Sequence, residues 1–206
     1  MKRILFIVAI LSLFIGVAYA DSIKTVTLVD GDQGRTCLDT KTGALNTIDY
    51  AHHEVHAGSH YFYKDTATLG ENASTSYVIV TPNTTKWAHL TWTATGSAIT
   101  QADLYEGPAE LSGTGAQQTI FNNDRNSTNT SGLKIWDANG GVEPTGTLLY
   151  SIKSGSATNQ ARTPGTSERG NEIILKQNTK YMLRVTSGTA SNLTNVLLEW
   201  YEHTNR

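Results

Sequence analysis

KWAHLTWTA, residues 86–94, decides the fold. In an extended chain successive side chains point to opposite faces. Trp87, His89, Thr91 and Thr93 then share one side, and Ala88, Leu90 and Trp92 share the other. Apolar side chains on one face and polar or aromatic ones on the opposite face mark a half-buried strand. The same short-strand reading extends outward in both directions. SYVIVT (76–81) stops at Pro82, and ADLYE (102–106) ends at Gly107-Pro108. LKIW (133–136) runs into the turn cluster 137–141, and GTLLYSIK (146–153) is a further strand. Gln117–Asn122 is a weaker candidate. Near the start, KTVTLV (24–29) reads as a first strand or arm, followed by the turn Asp30-Gly31-Asp32-Gln33-Gly34 and a second turn at Lys41-Thr42-Gly43.

Three strands close the chain: Glu172–Lys176, Lys180–Thr186 and Asn195–His203, the last reading NVLLEWYEH. Gln177-Asn178-Thr179 fits a tight hairpin joining the first two. Two long unpatterned stretches, Gly107–Gly132 and Ser154–Gly170, read as loops with a job to do. No apolar 3.6-residue period runs for three turns, so no helix is expected beyond the first 20 residues. No segment repeats another closely enough for a solenoid or propeller. Short strands at this spacing predict an all-β, antiparallel β-sandwich with long loops, a jelly roll being the favoured topology. Val78, Val80, Leu90, Leu149, Ile174, Leu183, Val185 and Leu198 are the expected core.

Composition supports this. The 206 residues fit one domain of ordinary size. Only 17% are charged, and Thr, Ser and Asn are abundant; threonine suits a pleated, half-exposed surface. The net charge of -2 supplies no basic field for nucleic acid. Cys37 is the single cysteine, so no internal disulfide forms.

The N-terminus reads as an export signal. Lys2 and Arg3 precede an apolar run, Ile4–Val17, and Ala18-Tyr19-Ala20 is a small-x-small cleavage site. The expected organisation is a signal peptide at 1–20, an N-terminal arm and turn region at 21–47, and a β-sandwich domain at 48–206. The mature product is then exported or extracellular, with no membrane segment after cleavage.

Candidate chemistry concentrates in IDYAHHEVHAGSHYFYKD, residues 48–65, which holds four of the six histidines. Read as two half-strands bent at Gly58, it points His52, Glu54 and His56 one way and His53 and Val55 the other. The spacing H-E-x-H departs from the helical zinc motif H-E-x-x-H. His52, His53, His56 and His60 therefore read as polar strand residues that hydrogen-bond across a sheet or at a subunit contact. Asp124 and Arg125, and Glu168, Arg169 and Glu172, read as loop ion pairs or solvated charge. No G-x-S-x-G elbow occurs. Asp30, Gly31 and Asp32 lack the remainder of a calcium loop. Trp87, Trp92, Trp136 and Trp200 read first as core or interface anchors. No catalytic residue, metal ligand or cofactor is assigned.

Four segments carry a family resemblance: IDYAHHEVHAGSHYFY, VTPNTTKWAHLTW, the pair LYEG and NNDRNS, and RGNEIILKQNTKYMLRVTS with the closing LEWYEHTN. Together, over Ile48–Asn205, they resemble small uncharacterised β-rich proteins encoded among virion structural genes of tailed phages and environmental viruses. The resemblance implies a non-enzymatic virion subunit, such as a capsid decoration protein, whose partners are copies of itself or a protein lattice. The export signal departs from that pattern and points to an alternative, a secreted cell-surface or filament subunit of the same fold. A secreted carbohydrate-binding module using Trp136 or Trp87 is a third reading. For assembly, the arm Ile23–Val29 and the strand Asn195–His203 are the expected pairing elements.

Overall fold

A computed structural model describes residues 50–108, 115–138, 145–156, 165–166 and 172–204, all within the compact unit Asp49–Arg206. The segment read as a signal peptide, the arm Ile23–Val29 and the turn region up to residue 47 lie outside the described residues. Among the described residues one helix, α1 (Tyr50–His56), precedes eleven strands. They are β1 (His60–Leu69), β2 (Ser74–Val80), β3 (Lys86–Gly96), β4 (Thr100–Glu106), β5 (Phe121–Asn122) and β6 (Lys134–Asp137). After these come β7 (Thr147–Ser154), β8 (Gly165–Thr166), β9 (Ile173–Ile174), β10 (Lys180–Ser187) and β11 (Asn192–Thr204).

Two antiparallel sheets pack face to face, with orders β5-β1-β11-β3-β8 and β6-β2-β10-β4-β7. β9 pairs with β3 in the same direction as β8, so these two short pieces form one interrupted edge. Leaving out β5 and β6, each sheet interleaves early and late strands: β1-β11-β3-β8/β9 against β2-β10-β4-β7. That interleaving is the jelly-roll order.

The alternation in residues 86–94 does what the pattern predicts. Ala88, Leu90 and Trp92 face the interior with Val196, Leu198 and Trp200 of β11 and Tyr61 and Tyr63 of β1. From the other sheet Tyr77, Ile79, Leu104, Tyr181, Leu183 and Val185 meet them. Trp92 and Trp200 are the largest fully buried side chains. A smaller cluster of Val78, Met182 and Ala138, flanked by Val80, Tyr105 and Trp136, occupies the outer face of the second sheet.

One carboxylate is built into the interior. Glu202 of β11 accepts hydrogen bonds from Ser131 Oγ (2.6 Å), Gly132 N–H (3.0 Å), Leu133 N–H (3.3 Å) and Trp200 Nε1–H (3.1 Å). It thereby fastens the segment before β6 to the neighbouring sheet's central strand. These donors supply the hydrogen bonds that its burial would otherwise leave unmade.

Five expectations change. Residues 50–56 are a helix, not a half-strand. Gly58, at φ +67, stops it: Ser59 N–H reaches Glu54 C=O and Gly58 N–H reaches Val55 C=O. These are the paired bonds of a left-handed glycine cap. Leu149 is 40% exposed because the β4–β7 register shifts between Leu104 and Tyr105, leaving Leu149 as the extra residue of a bulge. Ile174 is 46% exposed: it stands opposite His89 on the outer face, and Ile173, opposite Leu90, takes the inward place.

Gln177-Asn178-Thr179 joins no hairpin. β9 belongs to one sheet and β10 to the other, so the turn carries the chain across the sandwich. Asn178 adopts φ 48, and Thr81 pins the crossing by donating from Oγ1 to Lys176 C=O (2.7 Å) and accepting from Thr179 N–H (2.9 Å). Finally, the strand expected to pair with other subunits, Asn195–His203, is the middle of its sheet, bonded to β1 on one side and β3 on the other. Val80 is half-buried; Leu90, Leu183, Val185 and Leu198 are buried in the sandwich core as expected, and Val78 is buried in the outer-face cluster.

Candidate functional site

The outer face of β1, β11 and β3 gathers His60, His89 and Glu172, together with side chains that the sequence left apart. Register alone brings them together. His60 of β1 stands opposite Tyr201 of β11, which stands opposite His89 of β3. One step along, Phe62, Glu199 and Thr91 form a second cross-strand row, and His203 stands opposite Trp87. α1 lies against β1 and β11 beside these rows. Ala51, His60, His89, Thr91, Glu172, Glu199 and Tyr201 line a cavity of about 170 Å³.

The rings stack across the sheet. His89 and Tyr201 are nearly parallel with centroids 4.6 Å apart, and His203 stacks on Tyr201 at 5.7 Å. Glu172, at the strand edge just before β9, reaches over this stack. Its Oε1 accepts from His89 Nδ1–H (2.6 Å) and from the Tyr201 hydroxyl (2.8 Å). On the far side of His89, Nε2 lies 2.9 Å from Nε2 of His203, and Nδ1 of His203 meets Thr204 C=O at 2.9 Å. His89 is 7% exposed, unusually buried for a histidine on a sheet's outer face.

Burial sets the electrostatics nearby. It pushes the Glu199 carboxyl above the usual carboxylate range. It holds His60 below the usual imidazole range, against the opposing charge of Glu54. Asn123 Nδ2 contacts His60 Nδ1 at 2.6 Å and anchors that ring. Such a site can share protons, hold a cation and orient a small polar ligand.

The helix rearranges the first histidine cluster. His52, Glu54 and His56 do not share a face. His52 and His56, four apart on exposed helix, approach with Nε2 atoms 3.0 Å apart. Glu54 instead turns inward, 5% exposed, and bonds Ser59 Oγ with His53 Nδ1 at 3.5 Å. Among the described residues no group of three or more His, Cys, Asp or Glu side chains is arranged to hold a metal.

Asp124 and Arg125 stay in their loop: Asp124 caps the turn at Asn126 N–H (3.0 Å), and Arg125 covers the Phe121 ring at 5.4 Å. Glu168 and Arg169 lie outside the described residues, as do Asp30, Gly31 and Asp32. Glu172, read with them as a loop charge, is instead the residue that binds His89 and Tyr201. Of the tryptophans, Trp92 and Trp200 are core, Trp136 is half-buried on the second sheet, and Trp87 is 36% exposed on the first. Trp87 and Trp136 share no face, so they build no common platform for a sugar.

A second, larger cavity of about 420 Å³ is lined by Gln117, Gln118, Asn122, Asn129, Tyr61 and their neighbours. Its amides are tied to the scaffold: Asn122 Nδ2 donates to Gly58 C=O (2.9 Å) and Asn129 Nδ2 to the same oxygen (3.2 Å). They hold the 122–130 loop onto the α1 cap.

A different kind of surface lies at the edge of the second sheet. β7 bonds to β4 on one side, and among the described residues no strand pairs with its other side. Leu148 (51% exposed) and Leu149 face solvent there, and Lys153 is the strand's one charge. Sheet edges with this composition invite another strand. Compared with known proteins, the chain matches no family model, no curated protein and no solved structure.

Proposed function

We propose that this protein is a non-enzymatic assembly subunit, a jelly-roll domain that associates with copies of itself through the edge of β7 that no described strand pairs. The observation that carries the reading is the exposure of Leu148 and Leu149 on an eight-residue edge strand with one charge. Proteins that stay monomeric blunt such edges with charges, prolines or covering loops. Strand addition along an edge supplies main-chain hydrogen bonds, and the projecting side chains supply selectivity. The bulge at Leu149 adds to this by turning an apolar side chain outward.

The sequence resemblance to phage virion-associated proteins supports placing this subunit in a capsid lattice, in the manner of a decoration protein. The export-type leader supports the alternative of a cell-surface or filament subunit built on the same edge. Sedimentation of the purified protein over a wide concentration range tests the shared core of both readings. The unmutated protein should assemble, and a Leu148→Lys/Leu149→Lys variant should weaken association at least about tenfold, because two buried charges oppose pairing. A strictly monomeric protein, or equal assembly by the variant, refutes the proposal.

A further inference from the structure

The pairing of His89 with His203 points to a ligand. An ionised carboxylate and a backbone carbonyl are acceptors only. Glu172 Oε1 at 2.6 Å and Thr204 C=O at 2.9 Å therefore each require a hydrogen on the Nδ1 they meet. A neutral imidazole held in this way presents Nε2 as a lone pair, and the two Nε2 atoms stand 2.9 Å apart. Two facing lone pairs repel unless an electrophile sits between them. A shared hydrogen is one such occupant; a metal ion is the other.

Three observations favour a metal. Metal-binding histidines characteristically donate their second ring N–H to a carboxylate or backbone carbonyl, which fixes the ring and raises its basicity. Both histidines here have that support, from Glu172 and Thr204. The ring centroids are only 4.5 Å apart and tilted by 34°, closer than an end-to-end N–H···N bond allows. The lone pairs thus aim off the line between the nitrogens, as ligands of one ion do. The support of His89 is also fixed by packing: His89 is buried and stacked on Tyr201, whose hydroxyl holds Glu172.

The spacing chooses the ion. Metal–imidazole bonds of roughly 2.0–2.1 Å place two nitrogens about 2.9 Å apart at a right angle and about 3.3 Å apart at the tetrahedral angle. The observed spacing suits neighbouring positions of a tetragonal ion, and among divalent first-row metals Cu(II) takes that geometry and binds imidazole most tightly. We propose that His89 and His203 form a Cu(II) site, positioned by Glu172 and Thr204, with water in the remaining positions. The exposed pair His52 and His56 has its Nε2 atoms 3.0 Å apart, and neither Glu172 nor Thr204 C=O, the supports of His89 and His203, serves it.

Equilibrium titration of the full, untagged chain with Cu(II), read by electron paramagnetic resonance, tests the site. In a His52→Ala/His56→Ala background one Cu(II) per chain should bind with coupling to two nitrogens. His203→Gln should then weaken binding at least about tenfold, and Glu172→Gln by about 10–100-fold, the range for loss of a supporting carboxylate. A second readout needs no variant: substoichiometric Cu(II) should broaden the His89 and His203 ring resonances first in the unmutated protein. Copper lost entirely with His52 and His56, unchanged affinity in His203→Gln, or broadening confined to His52 and His56 would each overturn the assignment.

Discussion

Among the described residues β11 is bonded along both edges and β7 along one, and the two strands treat their side chains accordingly. In β11, Val196, Leu198 and Trp200 fill the interior, and the opposite face is furnished with partners by β1 and β3. Tyr201 is stacked on both sides, and Glu199 is half-buried between Phe62 and Thr91. In β7, Tyr150 and Ile152 reach the core, while Leu148, opposite Tyr105, and Leu149, the extra residue of the bulge, project into solvent. The difference teaches that a strand's place in the sheet, more than its composition, decides whether an apolar or ionisable side chain becomes structure, site or surface.

Substitutions can break or sharpen that contrast. The largest effect is expected at Leu198, fully buried at the centre of the sandwich. Leu198→Ala should destabilise by about 2–5 kcal/mol in denaturant unfolding, the cost of a core cavity. Leu149→Ala should stay within about 0.5 kcal/mol, as surface changes do. Equal costs at the two positions would erase the distinction.

Glu202→Ala comes next. It strands the Gly132, Leu133 and Trp200 N–H donors in a buried place and should cost about 1–3 kcal/mol. It should also speed hydrogen exchange at Gly132 and Leu133, a change that mere loss of side-chain volume would not confine to those amides.

The smallest effect tests the outer face. Burial raises the folded-state pKa of Glu199 above its unfolded value. The folded protein therefore holds that proton over a pH range in which the unfolded chain releases it, and stability falls as pH rises through the range. Glu199→Gln should match the unmutated protein at pH values below the unfolded carboxylate pKa and be the more stable of the two at neutral pH. Parallel stability curves across the acidic range would show that the burial of Glu199 carries no energetic penalty.

Much of the sandwich was legible because period-two alternation is local. Residues 86–94 announced which side chains of β3 face inward. The helix was not legible for the same reason. YAHHEVH spans two turns, too short to establish a 3.6-residue period, and its histidines read equally well as a strand. The usable signal was Gly58 followed by Ser59, a cap waiting for a helix. Leu149 was misplaced because a bulge is a property of the β4–β7 pair, invisible in β7 itself. The His89–Glu172–His203 cluster was out of reach on similar grounds. Alternation puts His89 and His203 on outer faces, but only the β3–β11 register makes them neighbours. Reading Glu172 with Glu168 and Arg169 followed nearness in sequence, whereas its partners stand at positions 89 and 201.

β11 follows every other strand of the described domain in sequence and yet lies between β1 and β3. Its pairing with β1 closes a loop from His60 to Tyr201. A nascent chain emerging from the ribosome therefore holds β1 and β3 without the strand that joins them, and the first sheet cannot form until residues 192–204 have been synthesised. Contacts of such long sequence separation slow folding, because the closure entropy is spent before the native pairing returns it. Until then β1 and β3 each lack their β11 partner along one edge, so the interval between the emergence of β3 and the arrival of β11 is when this chain is most open to aggregation and to capture by a chaperone.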